Sequence, residues 1–510
     1  MSMPHTLFDP PVAGSSSNGD ALEDRFRGAM IGSAVGDALG WPTEFLKAGG
    51  RKPSFELPLR DFVGWRKSVG GHWWGYRDDI GQGEYSDDTQ LTLAVARCIS
   101  PSGSFEPERF AYSEFPLWLH YERGGGRSVK AAARYLVREN GNWLRNFYKS
   151  GVVDYKRAGA NGAAMRNLPI SLVSHQDHGR LVRDSLYNAI ISHGHPRAIL
   201  GAVLSGLSVS YVLGSRDVTA RHFIQFLQHQ IESLDLDETG DQNISSWIDD
   251  WEGGKENGNG NGNFSTIFTQ TRREAYKHIS AIGKYIDRST REYYSLVGAL
   301  DPSTKGSGIA TVCAALYVFL RHLDDPHEAI YDAVNQIGSD TDTIASLAGA
   351  LVGAHLGKSA VPEHLYQRVQ DRAYLERMAS HLFFIAFSDE TQDRILPDSS
   401  VQKAGREEIY LKILAWEIGL HEMFWDALSQ GSPISHPALG QGVVRGKWER
   451  GVIREGYEAK LIRVEFDCGQ SCIFHSRVKN DREVSVSLSR PLERAIYGRR
   501  KKTLDISEEI

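Results

Sequence analysis

Two short acidic motifs, about 250 residues apart in this chain of 510 residues, constrain its fold more than any other feature. The motifs are Ser86–Thr89 and Asp340–Thr343, and each opens a run of small apolar residues typical of a buried helix. Asp, Ser and Thr are common helix caps, so capping alone would explain either motif. Two carboxylates at the start of a buried helix are harder to explain, because like charges repel unless a cation or a buried donor compensates them.

The residue types in both motifs indicate a hard divalent cation. Together the motifs offer four carboxylates and several hydroxyls, but no histidine and no cysteine. Magnesium and calcium take oxygen ligands of this kind, whereas zinc and iron draw on histidine and cysteine. The sequence therefore predicts a pair of cations at helix N-termini, with Mg²⁺ as the first choice.

Composition argues against several classes of protein. Hydrophobic residues make up 41% of the chain, charged residues make up 24%, and the formal net charge is −6. These values are typical of a globular protein and lack the basic excess of a nucleic-acid-binding surface. No apolar run approaches the roughly 18 residues of a membrane span, so no membrane association is expected. Four scattered cysteines predict reduced thiols and a cytoplasmic location.

A helical period of apolar residues recurs from residue 21 to residue 428. It begins in the stretch 24–40, where small and apolar residues alternate and would permit close helix contacts. The alternation that marks strands is sparse before residue 435. We therefore expect one compact all-α domain of many helices over residues 21–428. A disordered leader at 1–20 would precede it, and a flexible insertion rich in glycine and asparagine would interrupt it at 251–263.

The pattern changes to short strands with tight glycine turns after Pro433 and Pro437. It predicts a small all-β barrel over residues 435–490, followed by a charged tail at 491–510. The barrel segment resembles the Tudor-like module that ends UvrD-type helicases, and this resemblance implies docking to a protein partner. The alternative is a barrel that only packs against the helical domain.

Three further segments carry candidate site residues. Glu44 follows the glycine-rich stretch 36–40, where it is either a surface acid or a functional one. The loop 159–166 is rich in glycine and alanine, so its backbone N–H groups can approach an anion closely. Residues 192–196 place two histidines before a helix, and either histidine could cap the helix or support the core.

The order of these five segments, from residue 22 to about residue 390, resembles the ADP-ribosylglycohydrolase family. The resemblance implies an all-α fold with a binuclear Mg²⁺ site at the base of a cleft for ADP-ribose. The implied metal ligands are Ser86, Asp87, Asp88, Asp340, Asp342 and Thr343. The implied substrate-binding residues are Asn161, Gly162, Ala163, Met165 and His193, and the implied catalytic residues are Glu44, Asp87 and Asp342.

The implied reaction is Mg²⁺-dependent hydrolysis of the N- or O-glycosidic bond between ADP-ribose and a modified acceptor, which reverses ADP-ribosylation. Glu44 would transfer a proton or act as a mobile metal ligand, and the sequence leaves both roles open. The acceptor also stays open: an ADP-ribosylated protein, a nucleic acid or a free ADP-ribose derivative would present the same ribose. Two alternatives are a sensor that binds ADP-ribose without turnover and a scaffold acting through the barrel.

Overall fold

The computed structural model describes residues 16–479, except for residues 48, 51, 139, 216, 237–239, 254–262 and 388–405. The expected tail, most of the expected leader and most of the expected insertion lie outside the described residues. The first helix already begins at Ser16, inside the segment expected to be disordered.

The described residues form a helical body followed by a C-terminal sheet. The helices are α1 (Ser16–Glu44), α2 (Gly71–Trp74), α3 (Asp87–Ala96), α4 (Pro107–Arg109), α5 (Phe115–Trp118), α6 (Arg127–Leu136), α7 (Leu168–Val173), α8 (His178–Ile190), α9 (Pro196–Gly214), α10 (Ala220–Ser233), α11 (Gln242–Glu252), α12 (Phe264–Tyr285), α13 (Thr290–Leu296), α14 (Gly308–Arg321), α15 (Pro326–Val334), α16 (Thr341–Leu356), α17 (Glu363–Tyr366), α18 (Arg372–Phe387) and α19 (Arg406–Ile418). The strands are β1 (Trp65–Val69), β2 (Tyr76–Ile80), β3 (Lys149–Ser150), β4 (Val153–Asp154), β5 (Pro433–His436), β6 (Gly440–Gly451), β7 (Tyr457–Phe466) and β8 (Ser471–Lys479).

Glycines at four-residue spacing along one face of α1 bring this helix into backbone contact with α16. A Cβ atom added at Gly36 would lie 2.0 Å from the carbonyl oxygen of Ala345, and one at Gly32 would lie 2.2 Å from that of Gly349. Gly40, near the end of α1, meets the first residue of α16 in the same way. The two helices therefore run antiparallel, and the C-terminal end of α1 lies beside the N-terminus of α16.

Helix α9 lies in the core beside α8, α14 and α16. By length and composition alone it could cross a membrane, since it has 19 residues and a mean hydropathy of 1.5 over an 18-residue window. Glycine and serine interrupt its apolar residues, so the helix contains no continuous apolar run of that length. In the structure 78% of that window is buried inside the fold, as in a core helix.

The helical body is not entirely α-helical, which corrects the expectation for residues 21–428. Strands β1 and β2 form an antiparallel hairpin in which Trp65 pairs with Ile80, and β3 and β4 form a two-residue pair. The sequence pattern does not predict the hairpin, because Lys67 lies on the partly buried face of β1 and interrupts the alternation of apolar and polar residues.

The C-terminal strands form an antiparallel sheet in the order β5-β6-β7-β8. Within the described strands no pairing joins β5 to β8, so the expected barrel is not closed. Closure requires the two edge strands to pair along their length, and β5 has only four residues and begins with proline. One face of the sheet instead extends the main core through Val444, Val464 and Phe474. The prediction of a Tudor-like docking module stays a prediction.

Candidate metal centre and ligand loop

The second acidic motif lies where α1 ends and α16 begins. Carboxylate oxygens of Glu44, Asp340 and Asp342 all lie within 4.8 Å of one another. Asp340 precedes the first turn of α16, but its side chain accepts no capping hydrogen bond. Its Oδ2 accepts a hydrogen bond of 2.9 Å from Asn161 Nδ2 instead. Helix capping therefore does not explain Asp340. Thr343 is buried in the same turn.

The first acidic motif contains one capping group and two carboxylates that capping does not use. Ser86 precedes α3, and its Oγ accepts a hydrogen bond of 3.2 Å from the backbone N–H of Asp88. Asp87 and Asp88 follow in the first turn, and both are buried. The Oδ2 atom of Asp88 is buried and has no hydrogen-bond partner among the residues that the structure describes. An unpartnered buried carboxylate oxygen of this kind fits a cation.

Asp37 of α1, which the sequence did not single out, holds the first motif in place. Its fully buried carboxylate accepts hydrogen bonds from the backbone N–H groups of Ser86 and Thr89, at 3.1 and 3.0 Å, and from Thr89 Oγ1 at 2.6 Å. Helix α1 thus contacts both motifs. The available signal was Asp37 itself, the one acid in the small and apolar run 28–40.

Burial governs the protonation of the acidic cluster. It raises the pKa values of Asp88 and Asp340 well above their usual range, with the charge of Asp342 as the next contribution. Burial, with nearby negative charge, also raises the pKa of Asp87 to about 8. The pKa of Glu44 is raised well above its usual range by burial and then by Asp342 and Asp340. Burial and mutual repulsion therefore favour the protonated forms of these acids until a cation compensates their charge. Together with the unpartnered oxygen of Asp88, this donor set fits a hard divalent cation.

Lys67 of β1 places an ammonium group beside the cluster. Its Nζ atom is buried and has no hydrogen-bond partner within the described part of the chain. It lies 4.7 Å from the ring centroid of Trp41 and 4.3 Å from that of Phe45. Burial lowers its pKa, while the charges of Glu44 and Asp87 oppose that shift. The sequence pattern does not predict a lysine at this site, because the position of Lys67 depends on the hairpin.

The ligand loop, residues 159–166, lies against the second motif. A 3₁₀ turn spans Asn161–Ala163, and Asn161 donates from its backbone to Gly306 O at 2.9 Å as well as from its side chain to Asp340. Behind the turn, the fully buried Arg166 donates to Gly162 O at 2.8 Å. The first amides of a helical turn have no partner within the turn, so this loop can present N–H groups to an anion.

The other predicted ligand-binding residues lie behind the loop surface. Ala163, Met165 and His193 are all buried, and a Cβ atom added at Gly162 would lie 2.9 Å from His193 Cε1. Burial, then the charge of Arg166, lowers the pKa of His193 to about 3, so its ring is neutral. His193 thus supports the loop, and its role in substrate binding stays a prediction. The other histidine of that motif, His195, caps α9.

The helical body matches a protein family along most of its length. The family model described as ADP-ribosylglycohydrolase matches residues 18–392. The chain belongs to the ADP-ribosylglycohydrolase family. This confirms the family and the enzyme class, a hydrolase of glycosidic bonds, that the motifs imply. The C-terminal sheet lies beyond the family match.

Named relatives of this glycohydrolase come from animals and bacteria. ADP-ribosylhydrolase ARH3 of Mus musculus is 28% identical, over 67% of this chain and 86% of the relative. The ADP-ribosyl-[dinitrogen reductase] glycohydrolase of Rhodospirillum rubrum is 30% identical, over 42% of this chain and 66% of the relative. A solved ADP-ribosylglycohydrolase-related protein complex has a chain with a TM-score of 0.50 at 20% identity, covering 72% of this chain and all of that one. That structure supports the fold alone.

Proposed function

We propose that this glycohydrolase cleaves the N- or O-glycosidic bond between ADP-ribose and a modified acceptor, and so reverses ADP-ribosylation. The observation that carries the proposal is the cluster of Glu44, Asp340 and Asp342, whose carboxylate oxygens lie within 4.8 Å of one another. The buried Oδ2 atom of Asp88, which has no hydrogen-bond partner among the described residues, adds an oxygen donor from the first motif. The names of the relatives agree with it, since ARH3 and the enzyme of Rhodospirillum rubrum are named for ADP-ribosyl linkages. An ADP-ribosylarginine hydrolase of Serratia proteamaculans is a further relative, at 22% identity.

Two Mg²⁺ ions complete the proposed site. The first motif would hold one ion and the second motif the other, with the ligands Ser86, Asp87, Asp88, Asp340, Asp342 and Thr343. When bound, such ions lower the pKa of a coordinated water and orient the hydroxyls of a sugar. Lys67 and the protons on the acids compensate the negative charge of the cluster until the ions bind.

The chain's own side chains supply binding and proton transfer. Asn161, fixed to Asp340, orients the ribose, and the amides of the ligand loop receive the phosphates. The raised pKa of Glu44 favours its protonated form, and this form can deliver a proton to the departing acceptor. Asp87 and Asp342 orient the attacking water on the ribose. The substrate is an ADP-ribosylated protein, an ADP-ribosylated nucleic acid or a free ADP-ribose derivative. We propose that the reaction takes place in the cytoplasm.

The decisive experiment measures release of ADP-ribose by mass spectrometry from arginine-linked, serine-linked and nucleic-acid-linked substrates. Release should require Mg²⁺ and stop in EDTA. Asp340→Asn and Asp342→Asn should each lower the rate at least about 100-fold, since each removes a ligand charge. Asp249→Asn, at an exposed position on α11, is the matched control and should be unaffected. Full activity in either site variant contradicts the two-ion assignment. Tight binding of ADP-ribose without release from any substrate favours the sensor.

A further inference from the structure

The C-terminal sheet contacts the segment that leads into the first acidic motif. That segment, residues 81–86, connects β2 to α3. Arg463 of β7 forms an ion pair with Oε1 of Glu84, whose side chain is only 7% exposed. The other oxygen of Glu84 pairs with Arg123 at 2.5 Å, and Arg123 also pairs with Asp78 at 2.9 Å. The two oxygens of one buried carboxylate are therefore held by arginines from the sheet and from the helical body.

A second contact reaches the residue directly before Ser86. The carboxylate of Asp371 accepts a hydrogen bond of 2.6 Å from Tyr85 Oη and one of 2.9 Å from the backbone N–H of Ser471, the first residue of β8. Next to it, the backbone N–H of Gln370 donates to Gly83 O at 2.9 Å. The start of β8 and the segment before the first motif thus share one half-buried acid, Asp371.

A third contact lies at the other end of α3. Arg97 follows the last residue of α3, and its side chain is 1% exposed. It pairs with Glu114 at 2.7 Å and donates to Gln470 Oε1 at 2.8 Å, at the turn before β8. The sheet therefore contacts the polypeptide at both ends of the helix that carries Asp87 and Asp88.

From these three contacts we infer that the C-terminal sheet is a positioning element of the active site. Arg463 is its main positioning residue: through Glu84 it holds residues 81–86 so that the carboxylates of Asp87 and Asp88 point toward the second motif. The catalytic importance of this positioning role rests on the proposed function. The three contacts themselves are present in the protein without any ion or substrate. It also assigns the sheet a role that needs no docking partner.

The test compares two arginines of the same sheet. Arg463→Met removes the contact with Glu84. Arg445→Met removes an exposed arginine on β6 that pairs only with Glu465 of the neighbouring strand among the contacts described. Two readouts apply to the full-length protein: hydrogen exchange of residues 81–89 without metal, and Mg²⁺ binding by calorimetry. Arg463→Met should speed exchange in that segment and raise the Mg²⁺ dissociation constant, each about tenfold, whereas Arg445→Met should change neither.

Conservative variants separate positioning from general damage. Arg463→Lys keeps the charge and should recover most of the Mg²⁺ affinity. Glu84→Gln weakens the ion pairs of Glu84 with both Arg463 and Arg123 and should also raise the Mg²⁺ dissociation constant, so the effect can be measured even if Arg463→Met does not fold. Wild-type exchange and Mg²⁺ binding in both Arg463→Met and Glu84→Gln would overturn the inference. A wild-type protein that releases no ADP-ribose, with Arg463→Met behaving as expected, would overturn the proposed function and leave the positioning role intact.

Discussion

The two acidic motifs are held in place by different means. The second motif lies at the start of α16, which touches α1 backbone to backbone along a row of glycines. The first motif is held by polar side chains, with Asp37 on one side and Glu84 with its two arginines on the other. Close backbone packing tolerates no added atom, whereas polar contacts can be removed one at a time. The position of the second motif therefore depends on steric packing, and the position of the first motif depends on hydrogen bonds and ion pairs.

The largest effect should come from adding a methyl group between α1 and α16. Gly36→Ala places a Cβ atom 2.0 Å from Ala345 O, so the helices must separate, and we expect a loss of at least about 3 kcal/mol in the free energy of unfolding. Gly19→Ala in the same helix meets nothing within 4 Å and should be neutral or slightly stabilising. Urea denaturation measures both. Equal stability of the two variants would refute the steric half of the comparison.

The next largest effect concerns pH and the charged half of the site. The pKa of Asp37 is raised to about 6 and that of Asp87 to about 8, so between about pH 4 and 8 the folded protein binds more protons than the unfolded chain. In EDTA, these groups should lower the free energy of unfolding as pH rises, by up to about 1.4 kcal/mol per pH unit for each extra proton.

Asp87→Asn should make that fall shallower between pH 5 and 8, and saturating Mg²⁺ should remove most of it in the wild type. Denaturation at several pH values measures the slope, with Asp249→Asn as the control that keeps the wild-type slope. An unchanged slope in Asp87→Asn would show that this acid is already ionised in the metal-free fold.

A smaller effect should distinguish the two residues that precede the motif helices. Ser86→Ala removes a capping hydrogen bond and should cost about 1 kcal/mol of stability. Asp340→Asn removes no cap and relieves repulsion from Asp342, so the metal-free protein should become no less stable. Thermal unfolding in EDTA compares them. A lower melting temperature for Asp340→Asn would mean that its carboxylate serves the fold.

The smallest effect should come from the lysine beside the cluster. Lys67→Met removes a positive charge that opposes cation binding, so Mg²⁺ should bind about threefold to tenfold more tightly. Lys67→Arg keeps the charge and should bind Mg²⁺ close to the wild-type affinity. Calorimetric titration measures both. Weaker Mg²⁺ binding in Lys67→Met would assign the ammonium group to support of the cluster instead.

The features that could be predicted from sequence depend on the spacing of apolar residues within one segment or on the residue types of one motif. The helical period indicated the helical body. The two oxygen-rich motifs predicted a shared cation site, which stays a prediction, and the structure places Glu44 beside Asp340 and Asp342 of the second motif. The small residues of α1 indicated close helix contacts, although they did not identify α16 as the partner.

The features that could not be predicted depend on contacts between distant segments. Lys67 reaches the cluster only because β1 folds back against α1 through Trp41 and Trp65. The open sheet differs from the expected barrel because edge pairing is a long-range property that short strand patterns do not encode. The pair of Arg463 with Glu84 joins residues from opposite ends of the chain.

The glycine row also sets a length scale. Because both α1 and α16 present small residues at four-residue intervals, the two helices can pack closely only in registers that differ by four residues. A register shift of four residues would move Asp340 by about 6 Å along the helix axis relative to Glu44. That distance would separate the carboxylates of the cluster. Intermediate positions are barred, since they would drive side chains into the opposite backbone. The glycine row therefore excludes small shifts between the two helices, and it holds the distance between Glu44 and Asp340 at one value.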